Sequence, residues 1–186
     1  MPDSRLFTYR VDADNVICFV SPEWLEFAVE NEAPELVRPG VLGKPLWPFI
    51  AGMETKHLYD VMLKKVRAAN AVICFSYRCD APHLRRYMEM VVRPWGAKGV
   101  EFISRVEREV PREPIPLLAP MAARSDQMIR MCGWCKRVAM PEWVEVEEAI
   151  QRLRLFEQDY MPQITHTLCA DCEGQVKAAI KLYAPE

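Results

Sequence analysis

Val16-Ile-Cys-Phe-Val-Ser-Pro-Glu-Trp-Leu-Glu-Phe27 sets the architecture of this chain. Its opening run, Val16 to Val20, is β-branched, aromatic or small and apolar, which suits a pleated, half-buried strand. Ser21 then offers a side-chain oxygen to the free amides of a helix start. Pro22 fits the first helical position, and Glu23 suits the positive end of the helix. Trp24, Leu25, Phe27 and Ala28 recur at helical spacing and predict two to three turns ending before Pro34. Upstream, Phe7-Thr-Tyr-Arg-Val11 is a second strand-forming run. Asp12-Ala-Asp-Asn15 between the two runs has a turn composition, so they predict a hairpin.

Downstream, Val41-Leu-Gly-Lys-Pro-Leu-Trp-Pro-Phe-Ile50 is apolar but broken by Gly43, Pro45 and Pro48. Residues 54–66 follow, with Leu58, Val61, Met62 and Val66 spaced three and four apart, the stripe of an amphipathic helix. Strands are predicted at 71–79, 86–95 and 100–108; in the middle one Met88, Met90 and Val92 alternate with Tyr87, Glu89 and Arg93. Two strands, helices, then three strands predict an α+β fold: a five-stranded antiparallel sheet whose helices are inserted after the second strand and pack on one face.

That layout resembles the PAS sensor domains. The resemblance rests on Ile17-Cys-Phe-Val-Ser-Pro-Glu-Trp24, on Val41–Ile50 and on the last three strands, and it spans residues 5–109. It implies a pocket between sheet and helices. The candidates to line it are Cys18, Phe27, Trp47, Phe49, Met62, Cys74, Met88 and Phe102, set against the plainer reading that they only fill the core. A photoreactive flavin site is not expected, because no Asn-Cys-Arg run follows the second strand. Haem is disfavoured: the candidate axial ligand, His57, sits near a helix start among Glu54, Lys56 and Asp60. Strand 71–79 is apolar on both faces, with Val72 and Cys74 opposite Ile73, Phe75 and Tyr77. Its outer side therefore needs a cover, which the zinc module, the N-terminal segment or a second subunit could supply, and a homodimer is expected because PAS domains commonly pair through that face.

The chain has 186 residues and 21.5 kDa, is 51% hydrophobic and 27% charged, and carries a net charge of -2. It can bury a core, and its charge gives no global case for nucleic acid or an anionic membrane. With no apolar leader at its start and no long apolar run, it reads as cytoplasmic. Its seven cysteines are then candidates for a metal, for redox chemistry or for burial rather than for a disulfide framework. Prolines at 111, 114, 116 and 120 predict a semi-stiff linker. The division expected is a sensor domain over 1–110, a linker over 111–130 and a module over 131–186.

The module opens with Cys132-Gly-Trp-Cys135 and closes with Cys169-Ala-Asp-Cys172. Each C-x-x-C turn presents two thiolates to one ion, and two such turns complete the four-sulfur tetrahedron that suits zinc. The 33 residues between the pairs must hold structure: a strand at 143–146 and a helix at 147–156 with Ala149, Ile150, Leu153 and Phe156 inward. Domains this small usually need such a staple. A thioredoxin-like redox pair is weaker, since no βαβ pattern surrounds it. Four thiolates close the site, so His166 is expected to order it from outside rather than to ligate.

This tail resembles an appendage of bacterial PAS-containing regulators, through Cys132, Cys135, Lys136, Arg137, Trp143, Glu147, Thr165, His166, Cys169 and Cys172, with Tyr183 and Pro185 near the end. The resemblance implies bacterial signal transduction. The function expected is therefore non-enzymatic: a PAS sensor coupled to a structural zinc module, acting on another signalling protein by ligand- or redox-dependent contact. The alternatives are a nucleic-acid-binding regulator, for which Arg130, Lys136 and Arg137 are the support, and a thiol redox protein.

Overall fold

A computed structural model describes residues 5–182, apart from 32, 34, 35, 38 and 39; Pro34, Tyr183 and Pro185 lie outside the described residues. The N-terminal hairpin is β1 (Leu6–Val11) and β2 (Ile17–Val20), paired antiparallel. Asp12 makes its turn, its Oδ1 accepting the amides of Asp14 and Val16 at 2.9 Å each, while Asn15 takes a left-handed φ of 62°. Helix α1 (Pro22–Glu30) starts as the sequence predicts: Ser21 Oγ accepts the Trp24 amide at 3.2 Å, and Pro22 opens the first turn. A 3₁₀ turn over Trp47–Phe49 leads into α2 (Met53–Ala69), whose stripe of Leu58, Met62 and Val66 is buried.

Strands β3 (Ile73–Arg78), β4 (Leu84–Trp95) and β5 (Gly99–Pro111) complete the sheet in the order β2-β1-β5-β4-β3, antiparallel throughout. This is the expected α+β layout. Strand alternation sends Phe7, Tyr9, Ile73, Phe75, Met88, Met90, Val92, Val100 and Phe102 toward the helices. The opposite face carries two ion-pair ladders, Arg10–Glu101–Arg93 and Glu89–Arg105–Glu107. Charge therefore occupies much of the face that the sequence reading assigned to a partner. The apolar groups there include half-buried Cys74 and Val91 and exposed Val72.

The second sheet runs β8-β7-β6-β9, with β6 (Arg124–Cys132) antiparallel to β7 (Val138–Ala139), β7 antiparallel to β8 (Trp143–Val144), and β6 parallel to β9 (Met161–Thr167). Helix α3 (Val146–Arg152) buries Val146, Ala149 and Ile150 against it. The predicted inward helix to 156 stops short. Arg154 takes a left-handed φ of 50°, which turns the chain so that Leu155 enters the core and Phe156 is left 61% exposed. Helix α4 (Ala170–Leu182) closes the chain.

The proline-rich run is packed, not a free spacer. Val110 and Pro111 end β5, and Ile115 and Leu117 are buried with Met131, Val144, Ile150 and Met161 in the second core. Prolines lack donors, but the carbonyls around them still need partners. Arg124 supplies them, donating to Leu117 O at 3.1 Å, Ala119 O at 3.0 Å and Pro162 O at 3.0 Å. Nor is the junction at residue 131 a boundary between cores, because Cys132, Trp134, Cys169, Cys172, Val176 and Ile180 share one buried cluster with Leu58, Tyr59, Ile73 and Phe75.

Candidate functional site

The cysteine centre grows out of two backbone turns. In the first, the Cys132 amide donates to Arg137 O at 2.8 Å and the Lys136 amide to Cys132 O at 3.0 Å, with Lys136 at a left-handed φ of 63°. In the second, Cys169 precedes α4, and Cys172 lies in its first turn. The Gly133 amide donates to Thr167 O at 2.9 Å and joins the two turns. All four Sγ atoms, of Cys132, Cys135, Cys169 and Cys172, lie within 4.8 Å of one another. Zinc–sulfur bonds of about 2.3 Å put tetrahedral sulfurs about 3.8 Å apart; Cys135 Sγ and Cys169 Sγ are 3.7 Å apart. Backbone amides also aim at the sulfurs, Cys169 N to Cys132 Sγ and Cys172 N to Cys169 Sγ, at 3.5 Å each. That donor set suits thiolates, which take up charge that a bare apolar core would not hold.

Hydrogen bonds from Cys135 and Cys172 hold the Cys132 thiol well below its usual range, and the same proximity pushes Cys135 up to about 12 and Cys172 higher still. Four sulfurs this close do not ionise together unless a cation compensates them. The residues present therefore fit one divalent ion. His166 is half-buried, and burial, then the nearby Lys136 charge, pushes its pKa down. Its ring approaches the space above Gly133 Cα, where a β-carbon would lie 3.9 Å from His166 Cδ2.

Trp134, between the first pair of cysteines, joins this centre to the sheet. Its carbonyl accepts the Arg78 amide at 2.7 Å, capping the β3 edge. Its ring packs on Phe75 and Tyr59 at centroid distances of 5.0 and 6.1 Å. Its Nε1 is buried without a partner. The stripe Cys172, Val176 and Ile180 on α4 packs on the same cluster.

The second feature is a cavity of about 860 Å³ between the inner face of the first sheet and its helices. Of the sequence candidates, Phe27, Phe49 and Met88 line it. Phe102 and Met62 are completely buried outside the lining, and Trp47 packs half-buried against the core. Cys18 is exposed and Cys74 lies on the outer face, because adjacent strand residues point to opposite sides. The lining outside the sequence candidates includes a polar set, Tyr9, Tyr59, Tyr77, Ser104 and Arg86, beside apolar residues such as Phe7, Trp24 and Leu46. Alternation from Phe7 and Met88 reaches Tyr9, Arg86 and Met90, so that signal was available. Burial pushes the Tyr59 hydroxyl up to about 12 and raises Tyr9 and Tyr77 as well, so all three stay protonated donors. His57 is exposed on α2 outside the lining, whereas His83, also exposed, stands among the lining residues.

Asp80, whose side chain is fully buried, contributes to the lining and begins a chain of charges. It pairs with Arg78 and, at 3.1 Å, with Arg112. Arg78 reaches Glu145 at 2.7 Å, while Arg112 and Arg85 reach Glu147 at 2.9 and 2.8 Å. Arg137, beside the first cysteine pair, is 3.6 Å from Glu145 and 3.0 Å from Asp171, the residue before Cys172. Arg112 also donates to Ala81 O and Pro82 O and so straps the post-β5 segment over the β3–β4 turn; Leu118 and Pro120 from that segment reach the cavity.

No described helix is long and apolar enough to cross a membrane. Comparison with family models and with curated proteins finds no match. Among solved structures, the chain is similar to the Aer2 receptor of Vibrio cholerae, titled a dual PAS-heme oxygen sensor, at 16% identity over 56% of this chain and 96% of that one, TM-score 0.37. It is also similar to a sensory box sensor histidine kinase from Vibrio cholerae, at 14% identity over 59% of this chain and 85% of that one, TM-score 0.41.

Proposed function

We propose that this is a non-enzymatic signal-sensing protein that takes a small molecule into the sheet–helix cavity and reports it by protein–protein contact. One observation carries the reading: the cavity and the cysteine centre share a continuous ion-pair chain from Asp80 to Asp171. The Asp80–Arg78 link is buried and screened little, while the links through Arg137 to Asp171 are exposed, so the geometry that a ligand shifting Asp80 or Arg86 would bias is set at the cavity end and passes to the second layer through Arg78 and Glu145. Cys132, Cys135, Cys169 and Cys172 would hold one zinc ion, whose chemistry is charge neutralisation and cross-linking, with four thiolates leaving no open position for hydrolysis. The setting that fits is bacterial cytoplasmic signalling, with another signalling protein or a second copy as the partner.

The nucleic-acid alternative leans on basic residues beside Cys135. Arg137 is already neutralised by Asp171 and Glu145, and Lys136 Nζ donates to Gly133 O at 2.8 Å. Native mass spectrometry of the full chain tests the main reading, since the expected spectrum shows one zinc per chain and a retained or added small ligand. Hydrogen exchange with and without that ligand then reads the coupling. Protection that changes around the cavity but not in 132–137 or 169–173 overturns the proposed output.

A further inference from the structure

Among the described residues lining the cavity, Arg86 is the one lysine or arginine. Arg86 is 7% exposed and projects from β4 toward the helices. Its Nε donates to Glu109 at 2.9 Å, and its Nη1 donates to Asn31 Oδ1 and Cys79 O at 3.0 Å each. Nη2 has no hydrogen-bond partner among the described residues. The acids in the lining are already engaged: Asp80 by Arg78, Arg112 and the Arg86 amide, and Glu30 by Arg5 at 2.7 and 2.9 Å. The Nη2 N–H groups open onto the cavity rather than being sealed in protein, so a ligand there can supply the acceptor, and a charged acceptor makes the stronger bond. The two free N–H groups of Nη2 belong to one guanidinium that already faces the carboxylate of Glu109, on a residue whose amide meets that of Asp80, which suits a single negative charge and disfavours a dianion such as a phosphate monoester.

Beyond Arg86 the walls turn apolar, with Phe7, Phe27, Trp24 and Met88, and the cavity ends at the hydroxyls of Tyr9, Tyr59, Tyr77 and Ser104. Arg86 to Met90 spans four strand residues, about 13 Å of cavity floor. Building on the sensor reading, we propose that the ligand is an amphipathic monocarboxylate, its carboxylate on Arg86 Nη2 and its apolar body along Met88 toward the tyrosines. A volume near 860 Å³ accepts a medium-chain fatty acid or an arylalkanoic acid, which share this chemistry.

Calorimetric titration of the full chain with decanoate, 4-phenylbutyrate and uncharged decanol tests the assignment. At least one acid is expected to bind about ten-fold or more tightly than decanol, as one charge-assisted hydrogen bond requires; which acid does so identifies the body. Arg86→Gln should bring the preferred acid down to within about two-fold of decanol measured on the same variant, and Met88→Trp, which fills the middle of the cavity, should abolish all three. The comparison of acid with alcohol needs no variant, so it stands even if Arg86→Gln does not fold. Equal affinity for acid and alcohol overturns the carboxylate and leaves the sensing cavity. Absence of binding by all three probes overturns both. A folded Arg86→Gln protein that keeps the full preference overturns the role of Arg86.

Discussion

Replacing Trp134 tests whether the cysteine layer and the sheet are one cooperative body. Its ring is 5% exposed and wedged between Phe75 and Tyr59. Truncating a buried tryptophan to alanine costs about 3–5 kcal/mol in transfer and cavity terms. The unpartnered indole N–H pulls the other way, because its removal relieves a desolvation penalty of roughly 1–3 kcal/mol. Trp134→Ala should therefore lose a net of about 2 kcal/mol, or about 4–8 °C in Tm at this chain length. Trp134→Phe keeps an aromatic ring against both neighbours and deletes the orphan donor, so it should stay within about 1 kcal/mol of the parent. Urea unfolding followed by far-ultraviolet circular dichroism, near-ultraviolet tyrosine signal and chelator-detected zinc should give one shared midpoint that moves as a unit in Trp134→Ala. The reasoning fails if Trp134→Phe costs as much as Trp134→Ala. It also fails if the alanine variant releases zinc while the sheet midpoint stays fixed.

The remaining predictions use other contacts. Gly52 has a φ of 85°, and a β-carbon there would sit 2.8 Å from the His166 carbonyl oxygen, so Gly52→Ala should cost about 2–4 kcal/mol of strain and displacement in a thermal melt. Burial raises the Glu147 carboxyl, but hydrogen bonds from Arg85 and Arg112 outweigh it and hold its pKa at about 2. A depressed carboxylate stabilises the fold above its unfolded value, near 4.3, and loses that contribution as pH falls toward 2. The loss should be about 1–2 kcal/mol after discounting for its one-third exposure, and it should vanish in Glu147→Gln unfolding curves. With zinc held by the four cysteines as proposed, its removal by a strong chelator should lower the midpoint of the whole chain, not of the second layer alone; a sheet that melts unchanged after zinc removal contradicts the shared core.

Local chemistry was legible without tertiary information. The Ser21-Pro22 helix start, the Asp12 turn, the α2 stripe and the alternation of β4 each depend on neighbours within a few residues, and each stands where the sequence placed it. The spacing of the cysteines within each pair likewise defines two turns, and two turns suffice to name one four-sulfur centre. Pocket candidates fared worse, because Cys18 and Cys74 were chosen by residue type, whereas the strand's two-residue period assigns them to the outside.

Other features depended on groups far apart in the chain. Strand β9 pairs parallel with β6 across more than thirty residues, and no local pattern announces a parallel partner. The proline-rich run has the composition of a spacer, yet Arg124 and the second core fix it, since carbonyls need donors from wherever the chain can supply them. By itself the sequence determined the five-stranded antiparallel sheet, its helices and the identity of the four sulfurs, through local periodicity, element order and spacing. The tertiary structure alone decided that the cysteine centre is built into the same core through Trp134 and α4, and that Arg86 offers an unpaired donor in a cavity whose acids are already paired. Both depend on which long-range partners satisfy each buried group.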